Sequence, residues 1–159
     1  MPSKILSAAV VGLDGALVET EADTSAALSS FTIVGLPDTA VQEARERVRS
    51  AIKNSGAPFP TGRVTVNLAP ADLKKEGTAY DLPIAVAILA AAGELDLPVG
   101  KDSQNSAEKP SWKRMLFLGE LALDGSVRPS TGTLSIALTA QKSGIETLYV
   151  PKANAAEAA

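Results

Sequence analysis

Alternating apolar and polar positions predict most of the strands in this chain. The alternation runs through AAVVGLDGALVETEA, SSFTIVGLP and RVTVNLAP, where Val64, Val66 and Leu68 fall on one side. It returns in LGELALDGSVRP, and RMLFLGEL and ETLYVP predict further strands. Two of these segments contain an Asp-Gly dipeptide, at Asp14–Gly15 and Asp124–Gly125. Because Asp-Gly favours the positive backbone angles of tight turns, we expect both dipeptides to form hairpin turns.

A spacing of three to four residues between apolar positions predicts the first helix. It begins after Pro37, with Asp38 or Thr39 as its cap and Gln42 placed to complete a capping box with Thr39, and it ends at Gly56. Its apolar side comprises Val41, Ala44, Val48, Ala51 and Ile52.

Two further segments predict helices. LPIAVAILAAAG is apolar on all sides, which is typical of a buried helix, with Pro83 in its first turn and Gly93 at its end. The other helix runs from about Thr133 to Ser143 and stops at Gly144.

The order β-β-β-α-β-α-β-β-α-β predicts a single domain over residues 1–159. We assign it to the α+β class, with a mixed sheet and helices mainly on one face. Residues 98–111 are polar and lack periodicity, which predicts an exposed loop. The final NAAEAA begins a helix without completing it, so we expect the chain to be cut from a longer protein.

Composition excludes several kinds of site. The 159 residues include no cysteine, which excludes disulfides and thiolate chemistry, and no histidine, which excludes Ser-His-Asp triads and the usual zinc sites. A net charge of −3 and a pI of about 5.0 argue against a protein that coats DNA. No segment reaches the roughly 20 apolar residues that span a bilayer. MPSKILSAAVVGL is interpreted as a strand rather than a signal peptide, so we expect no membrane contact and a cytoplasmic location.

The loop LKKEGTAYD lies where many catalytic and phosphate-binding loops lie, between a strand and a buried helix. Its lysines precede a single glycine, so it does not match the phosphate-binding pattern GxxxxGK[ST]. A Ser-Lys hydrolase would need a hydroxyl at the helix entrance and a lysine nearby. Thr78 is the hydroxyl closest to Gly77 apart from the Tyr80 phenol, but Lys74 and Lys75 are expected to be solvated. The structural interpretation of this loop is favoured.

Arg45, Arg49 and Lys53 recur every four residues in QEARERVRSAIK and predict a basic stripe on the first helix. A solvated helix face is the favoured interpretation, and contact with nucleic acid or another subunit is the alternative. Glu43 and Arg47 form an i,i+4 pair, which contributes only tenths of a kcal/mol, about 0.2–0.5.

No metal site is predicted from the carboxylates. Asp14 and Asp124 are explained by their hairpin turns, and Glu19 and Glu21 by an exposed strand face. Their spacing does not match a known Mg²⁺ or Ca²⁺ site.

Three long segments carry a resemblance to a known family: FTIVGLPDTAVQEARERVRSAI, RVTVNLAPADLKKEGTAYDLPIAVAIL and FLGELALDGSVRP. They resemble the amino-terminal domain of the YifB/ComM family, which is often labelled magnesium-chelatase-subunit-ChlI-like. The resemblance covers about residues 4–159. It implies the fold of the Lon protease proteolytic domain, in the ribosomal-protein-five domain 2-like superfamily.

The same resemblance implies an AAA+ ATPase module after this domain, with a zinc-binding insertion and a carboxy-terminal part. ComM members are implied to be hexameric, ATP-driven DNA helicases that act in branch migration during natural transformation. ATP and Mg²⁺ are therefore expected in the following module, with no cofactor in this segment. The implied partners are that module, further copies of the chain and DNA.

The Lon resemblance also implies where a catalytic dyad would lie. Lon proteases carry their serine two residues after the glycine that opens the buried helix, which here is Gly77, so the matching position is Ala79. The Lon lysine matches about Leu134, at the start of the helix before the last strand. Neither residue can perform the Lon chemistry.

The leading hypothesis is therefore a non-catalytic accessory domain of an AAA+ motor. Its candidate contact surfaces are Arg45, Arg49 and Lys53 on the helix and Lys74 with Lys75 on the loop. Three alternatives stay open: a peptidase with an atypical dyad such as Thr78 and Lys75, a component of a magnesium chelatase motor, and a simple nucleic-acid-binding module.

Overall fold

A long hairpin forms the centre of the sheet. The computed structural model of the chain describes residues 2–96 and 111–159. Its strands are β1 (Ser3–Val11), β2 (Asp14–Ser25), β3 (Ser30–Val34), β4 (Arg63–Ala69), β5 (Met115–Phe117), β6 (Glu120–Leu121), β7 (Val127–Arg128) and β8 (Thr147–Tyr149). β1 and β2 pair antiparallel from Ser3 opposite Ala22 to Val11 opposite Asp14.

This register corrects the first predicted turn. Gly12 and Leu13 are the two turn residues, and Gly12 takes the positive φ of 64° that such a turn requires. Asp14 and Gly15 instead begin β2. Gly15 is explained by packing, because a Cβ there would lie 2.2 Å from the Thr139 hydroxyl oxygen. The second prediction is confirmed, since Asp124 and Gly125 lie in the turn between β6 and β7.

Within the described residues, six strands form one mixed sheet in the order β3-β4-β2-β1-β5-β8. β2 pairs antiparallel with β1 and β4, whereas the β3–β4, β1–β5 and β5–β8 pairs are parallel. β6 and β7 form a separate antiparallel pair. The predicted α+β class with a mixed sheet is confirmed.

Two helices cover one face of this sheet: α1 (Thr39–Asn54) and α2 (Asp81–Ala91). The five predicted apolar residues of α1 are the five that are buried. The α1 cap is Asp38, whose carboxylate accepts from Val41 N at 2.8 Å, so the capping box predicted from Thr39 is wrong. α2 is buried as predicted, and Gly93 follows it with a φ of 76°.

The third long helix, α3 (Thr133–Lys142), lies on the opposite face. Ile136 and Ala140 of α3 pack with Leu6 of β1 and Leu116 of β5, while Ile5, a neighbour in β1, faces the α1–α2 side. Two of the three long helices thus share a face, as predicted. A short helix, α4 (Ala155–Ala158), follows the last strand.

RMLFLGEL forms two strands rather than the single strand predicted. The chain leaves the sheet at Leu118, and Gly119 bonds to the start of α2: its N–H donates to Ala79 O at 2.9 Å and its carbonyl accepts from Leu82 N at 3.0 Å. These bonds direct β6, and with it Glu120, towards the entrance of α2. The predicted loop at residues 98–111 lies almost entirely outside the described residues.

Candidate functional site at the entrance of α2

Residues 70–80 lead from β4 to α2 and are fixed to the segment before α1. Lys75 N donates to Leu36 O at 3.0 Å, and Asp38 N donates to Lys75 O at 2.9 Å. The second oxygen of the Asp38 carboxylate accepts from Gly77 N at 3.1 Å. One carboxylate therefore both caps α1 and holds the loop that opens α2.

Lys75 is not solvated, contrary to prediction. Its side chain is fully buried, at 0% exposure, and its Nζ donates to the carbonyl of Pro70. Burial lowers the pKa of this ammonium, and the Asp72 carboxylate opposes that effect. Lys75 must be removed from the proposed contact surface, because a buried amine cannot reach a macromolecule. Its neighbour Lys74 is exposed and pairs with Glu76 at 3.5 Å.

The two groups considered for an atypical dyad are engaged with different partners. The Thr78 hydroxyl donates to Glu120 Oε2 at 2.8 Å, whereas the Lys75 ammonium is bonded to the loop carbonyl of Pro70. A general base must accept the proton of its nucleophile through a direct or water-mediated hydrogen bond. The arrangement does not provide that bond between Lys75 and Thr78.

A cavity of about 570 Å³ lies beside the start of α2. We call it the α2 cleft. Its lining includes Asp38, Glu76, Ala79, Tyr80, Glu120 and Ser130. Ala79 thus lies in the cleft, where it presents a methyl group, while its carbonyl is occupied by Gly119 N. The hydroxyls of Tyr80 and Ser130 are buried and have no hydrogen-bond partner among the described residues.

Leu134, the second degenerate position, lies elsewhere. It is in the first turn of α3, is 54% exposed and does not line the α2 cleft. Its N–H donates to Glu157 Oε1 of α4 at 3.1 Å. Ile136 is the α3 residue in the cleft lining. The structure therefore brings Ala79 to the cleft but does not bring Leu134 there.

The ion pair between Arg47 and the buried Asp81 was not predicted from the sequence. Arg47 of α1 donates to both oxygens of Asp81 in α2, at 2.6 Å from Nε and 3.0 Å from an Nη. Leu121 N of β6 donates to the same carboxylate at 3.1 Å. Burial raises the pKa of Asp81, and the bonds from Arg47 and Leu121 oppose that shift. An acidic residue at the start of a wholly apolar helix was a signal that a cationic partner was needed.

The predicted basic stripe lies on α1, but its three residues differ in their contacts and in their exposure. Arg45 Nε donates to Gln42 O at 3.1 Å, and an Nη donates to Phe31 O at 3.5 Å. The Arg49 guanidinium lies over the Phe59 ring, 5.2 Å from its centroid. Arg45 and Lys53 are exposed and Arg49 is half-buried. The predicted Glu43–Arg47 pair is confirmed at 3.8 Å.

Comparison with known proteins decides the family. The family model described as subunit ChlI of Mg-chelatase matches residues 20–154. This chain belongs to the ChlI family. Its similarity to ComM and YifB proteins places it in the YifB/ComM branch, as the sequence motifs predicted.

Three relatives show how much of this chain is matched and at what sequence identity. The competence protein ComM of Haemophilus influenzae is 44% identical over 154 residues, covering 97% of this chain and 28% of the relative. The YifB protein of Escherichia coli, which is uncharacterized, is 46% identical over 136 residues, covering 86% and 24%. An uncharacterized protein of Mycobacterium tuberculosis is 42% identical over 158 residues, covering 98% and 28%. The chain spans about a quarter of the length of the curated relatives it matches.

Two structural findings bear on the chemistry open to this ChlI-family domain. In residues 2–96 and 111–159, no three acidic side chains come close enough together to hold a metal ion. In the same part of the chain, no helix combines the length and apolarity needed to cross a bilayer.

Proposed function

We propose that this chain is a non-catalytic accessory domain of an AAA+ ATPase of the ComM/YifB type. The whole protein would act as a hexameric, ATP-driven DNA helicase in branch migration, in the cytoplasm. ATP and Mg²⁺ would bind in a module outside residues 1–159. This domain would contribute contacts to neighbouring subunits or to DNA. The name of the Haemophilus relative, a competence protein, supports a role in competence.

The content of the α2 cleft carries the proposal. A methyl group stands at Ala79 and the Thr78 hydroxyl is bonded to Glu120. The Lys75 ammonium, which does not line the cleft, is bonded to Pro70. A covalent hydrolase needs a nucleophile hydrogen-bonded to its base, and these residues supply no such pair. This arrangement supports a non-catalytic role for the cleft, at the position where the Lon resemblance implies a catalytic site.

ATPase measurements on the full-length protein and on the 159-residue chain test this function. We expect the full-length protein to hydrolyse ATP faster when DNA is added, and the 159-residue chain to hydrolyse none. A full-length variant with its phosphate-binding lysine replaced is the matched control. If the ATPase rate of the full-length protein does not change when DNA is added, the helicase role is contradicted.

A hydrolysis assay tests the absence of catalysis directly. The 159-residue chain and its Thr78→Ala variant are incubated with fluorescently labelled casein. We expect equal, background rates. Turnover by the wild type that vanishes in Thr78→Ala would establish a peptidase and overturn the proposal.

The outer side of α1 is the proposed DNA or subunit contact, through Arg45, Arg49 and Lys53. In the full-length protein, the triple variant to glutamine would weaken DNA binding, measured by fluorescence anisotropy at two salt concentrations. Each lost phosphate contact lowers the slope of log affinity against log salt by about 0.9 for duplex DNA. Lys142→Gln, on exposed α3, is the control for a change of charge. An unchanged slope would assign the stripe to subunit contacts or solvent.

The description of the matching family, subunit ChlI of Mg-chelatase, favours one alternative, a subunit of a magnesium chelatase motor. Insertion of Mg²⁺ into a porphyrin by the full-length protein, followed by the change in porphyrin absorbance, would identify that activity. We expect no change in absorbance, whether or not ATP is present.

A further inference from the structure

The α2 cleft carries an excess of negative charge. Among the described residues, Asp38, Glu76 and Glu120 line it, against one ammonium, that of Lys74, which pairs with Glu76. Asp38 accepts only from backbone N–H groups, and Glu120 accepts from the Thr78 hydroxyl, so neither carboxylate is neutralised by these bonds.

The Arg47 guanidinium does not remove that excess. It lies within electrostatic reach of Glu120, but its nitrogens are directed to Asp81, to the carbonyl of Ala40 and to Glu43. The charge of Arg47 is therefore largely matched by the buried carboxylate of Asp81, and Glu120 still faces the cleft with one oxygen available to a ligand.

Two buried hydroxyls in the lining add a second, independent observation. Tyr80 is only 2% exposed, yet its hydroxyl has no partner among the described residues. The Ser130 hydroxyl is also buried and has no partner there, although Ser130 as a whole is half-buried. An unpaired buried polar group destabilises the fold unless a partner satisfies it. Burial raises the pKa of Tyr80, and the charges of Asp38 and Glu76 raise it further, so the phenol lies in the negative field of the cleft.

We infer that the α2 cleft binds the cationic side chain of an arginine or lysine from a protein segment. A guanidinium offers five N–H donors in a planar fork, and an ammonium offers three. Carboxylate oxygens of Glu120 and Asp38 are acceptors suited to those donors, and Tyr80 and Ser130, whose buried hydroxyls lack a partner among the described residues, belong to the same lining. The volume of about 570 Å³ accommodates one long side chain with its flanking backbone.

The same charges exclude a different ligand. A DNA phosphate in the cleft would face three carboxylates, and like charges brought together in a partly buried site repel. The DNA contact proposed for α1 is therefore separate from the cleft.

Calorimetric titration of the 159-residue chain tests the inference with three probes: a blocked hexapeptide with one arginine among alanines, its twin with citrulline in place of arginine, and N-acetylarginine methylamide. Citrulline has the same shape without the charge. We expect the arginine peptide to bind at least about tenfold more tightly than its citrulline twin, as charge-assisted hydrogen bonds require. Binding of the small arginine derivative as tight as the peptide would show that only the free side-chain chemistry is recognised, and would overturn a protein segment as the ligand.

Variants locate the binding in the cleft. Glu120→Gln and Tyr80→Phe keep the shape of each side chain, and we expect each to weaken the arginine peptide about three- to tenfold. Glu46→Gln, an exposed change on α1 with the same effect on net charge, should leave the affinity unchanged; circular dichroism verifies that all three variants are folded. Equal affinities for both peptides, no binding, or variants without effect would refute the inference. Cleavage of the bound peptide, detected by mass spectrometry, would contradict the proposed non-catalytic function instead.

Discussion

The two faces of the sheet are covered to different degrees. The α1–α2 face buries apolar side chains from six strands, β1 to β6, and from two helices, together with the Arg47–Asp81 ion pair. The α3 face holds a much smaller cluster around Leu116 and Ile136, next to a cavity of about 520 Å³. Most of the stability of this domain therefore resides on the first face. The α2 cleft lies where the faces meet, since Ala79 packs towards the α3 cluster and Tyr80 towards the α1–α2 cluster.

Removal of one partner of the buried ion pair should have the largest effect. Asp81→Ala leaves the Arg47 guanidinium, which is 18% exposed, without its carboxylate, and removes the acceptor for Leu121 N. We expect a loss of about 3–5 kcal/mol in the free energy of unfolding, measured by urea denaturation.

Glu43→Ala is the matched control, because Glu43 pairs with the same guanidinium from an exposed position. Its loss should be at most about 0.5 kcal/mol. Equal effects of the two substitutions would show that Arg47 is solvated and that the α1–α2 face does not depend on the pair.

Core truncations compare the two faces directly. Ile84→Ala on α2 and Ile136→Ala on α3 remove the same atoms from sites that are 0% and 2% exposed. We expect the free energy of unfolding to fall by about 4 kcal/mol for Ile84→Ala and by about 2 kcal/mol for Ile136→Ala, both within the range of such truncations. The two losses differ because the cost depends on the cavity that remains. Ile136 borders the α2 cleft, where solvent and neighbours can adjust. A larger loss at Ile136 would reverse the comparison.

The α1–α2 face could be predicted because its signals are local. The apolar positions of α1 repeat every three to four residues, and α2 is apolar all round, so both helices and their buried sides follow from the pattern. The α3 face could not be assigned in this way, because the side of the sheet that a helix covers depends on tertiary packing. Gly15 illustrates the limit: its role is the close approach of Thr139, a residue more than a hundred positions away.

The α2 cleft could be predicted only in part, because some of its features depend on tertiary contacts rather than on local sequence signals. The Lon resemblance implies a site position at Ala79, at the entrance of α2, and Ala79 lines the cleft in the structure. The burial of Lys75 depends on a pairing between residues 36–38 and 75, which no local pattern contains. Glu120 joins the cleft only because the chain bends at Gly119 to bond with α2.

Lys75 gives the loop before α2 a pH-dependent stability. Because burial lowers its folded-state pKa below the ordinary 10.5, the folded chain binds this proton less tightly than the unfolded chain. Unfolding therefore takes up a proton between the lowered pKa and 10.5, and this contribution to stability rises with pH in that window. Lys75→Met keeps the volume without the charge.

Urea denaturation of both proteins between about pH 8 and about pH 10 measures this effect, and other titrating groups cancel in the difference. We expect the wild type to gain stability relative to Lys75→Met as pH rises. A difference that stays constant, or moves the other way, would mean that the ammonium is solvated in the folded chain.

The smallest effect is expected on the outer side of α3, where Leu134 and Leu138 lie one turn apart and are 54% and 49% exposed. Leu138→Gln removes little apolar area from a packed environment, so the free energy of unfolding should change by no more than about 0.5 kcal/mol. The melting temperature of the wild type should also be independent of protein concentration. Leu134 and Leu138 are exposed in the single chain, so they would stabilise the fold only if a second molecule buried them. A loss above about 1 kcal/mol, with a melting temperature that rises with concentration, would mean that copies of the chain associate through α3. The thinner face would then be completed by a second molecule, and the contrast between the two faces would hold only for the monomer.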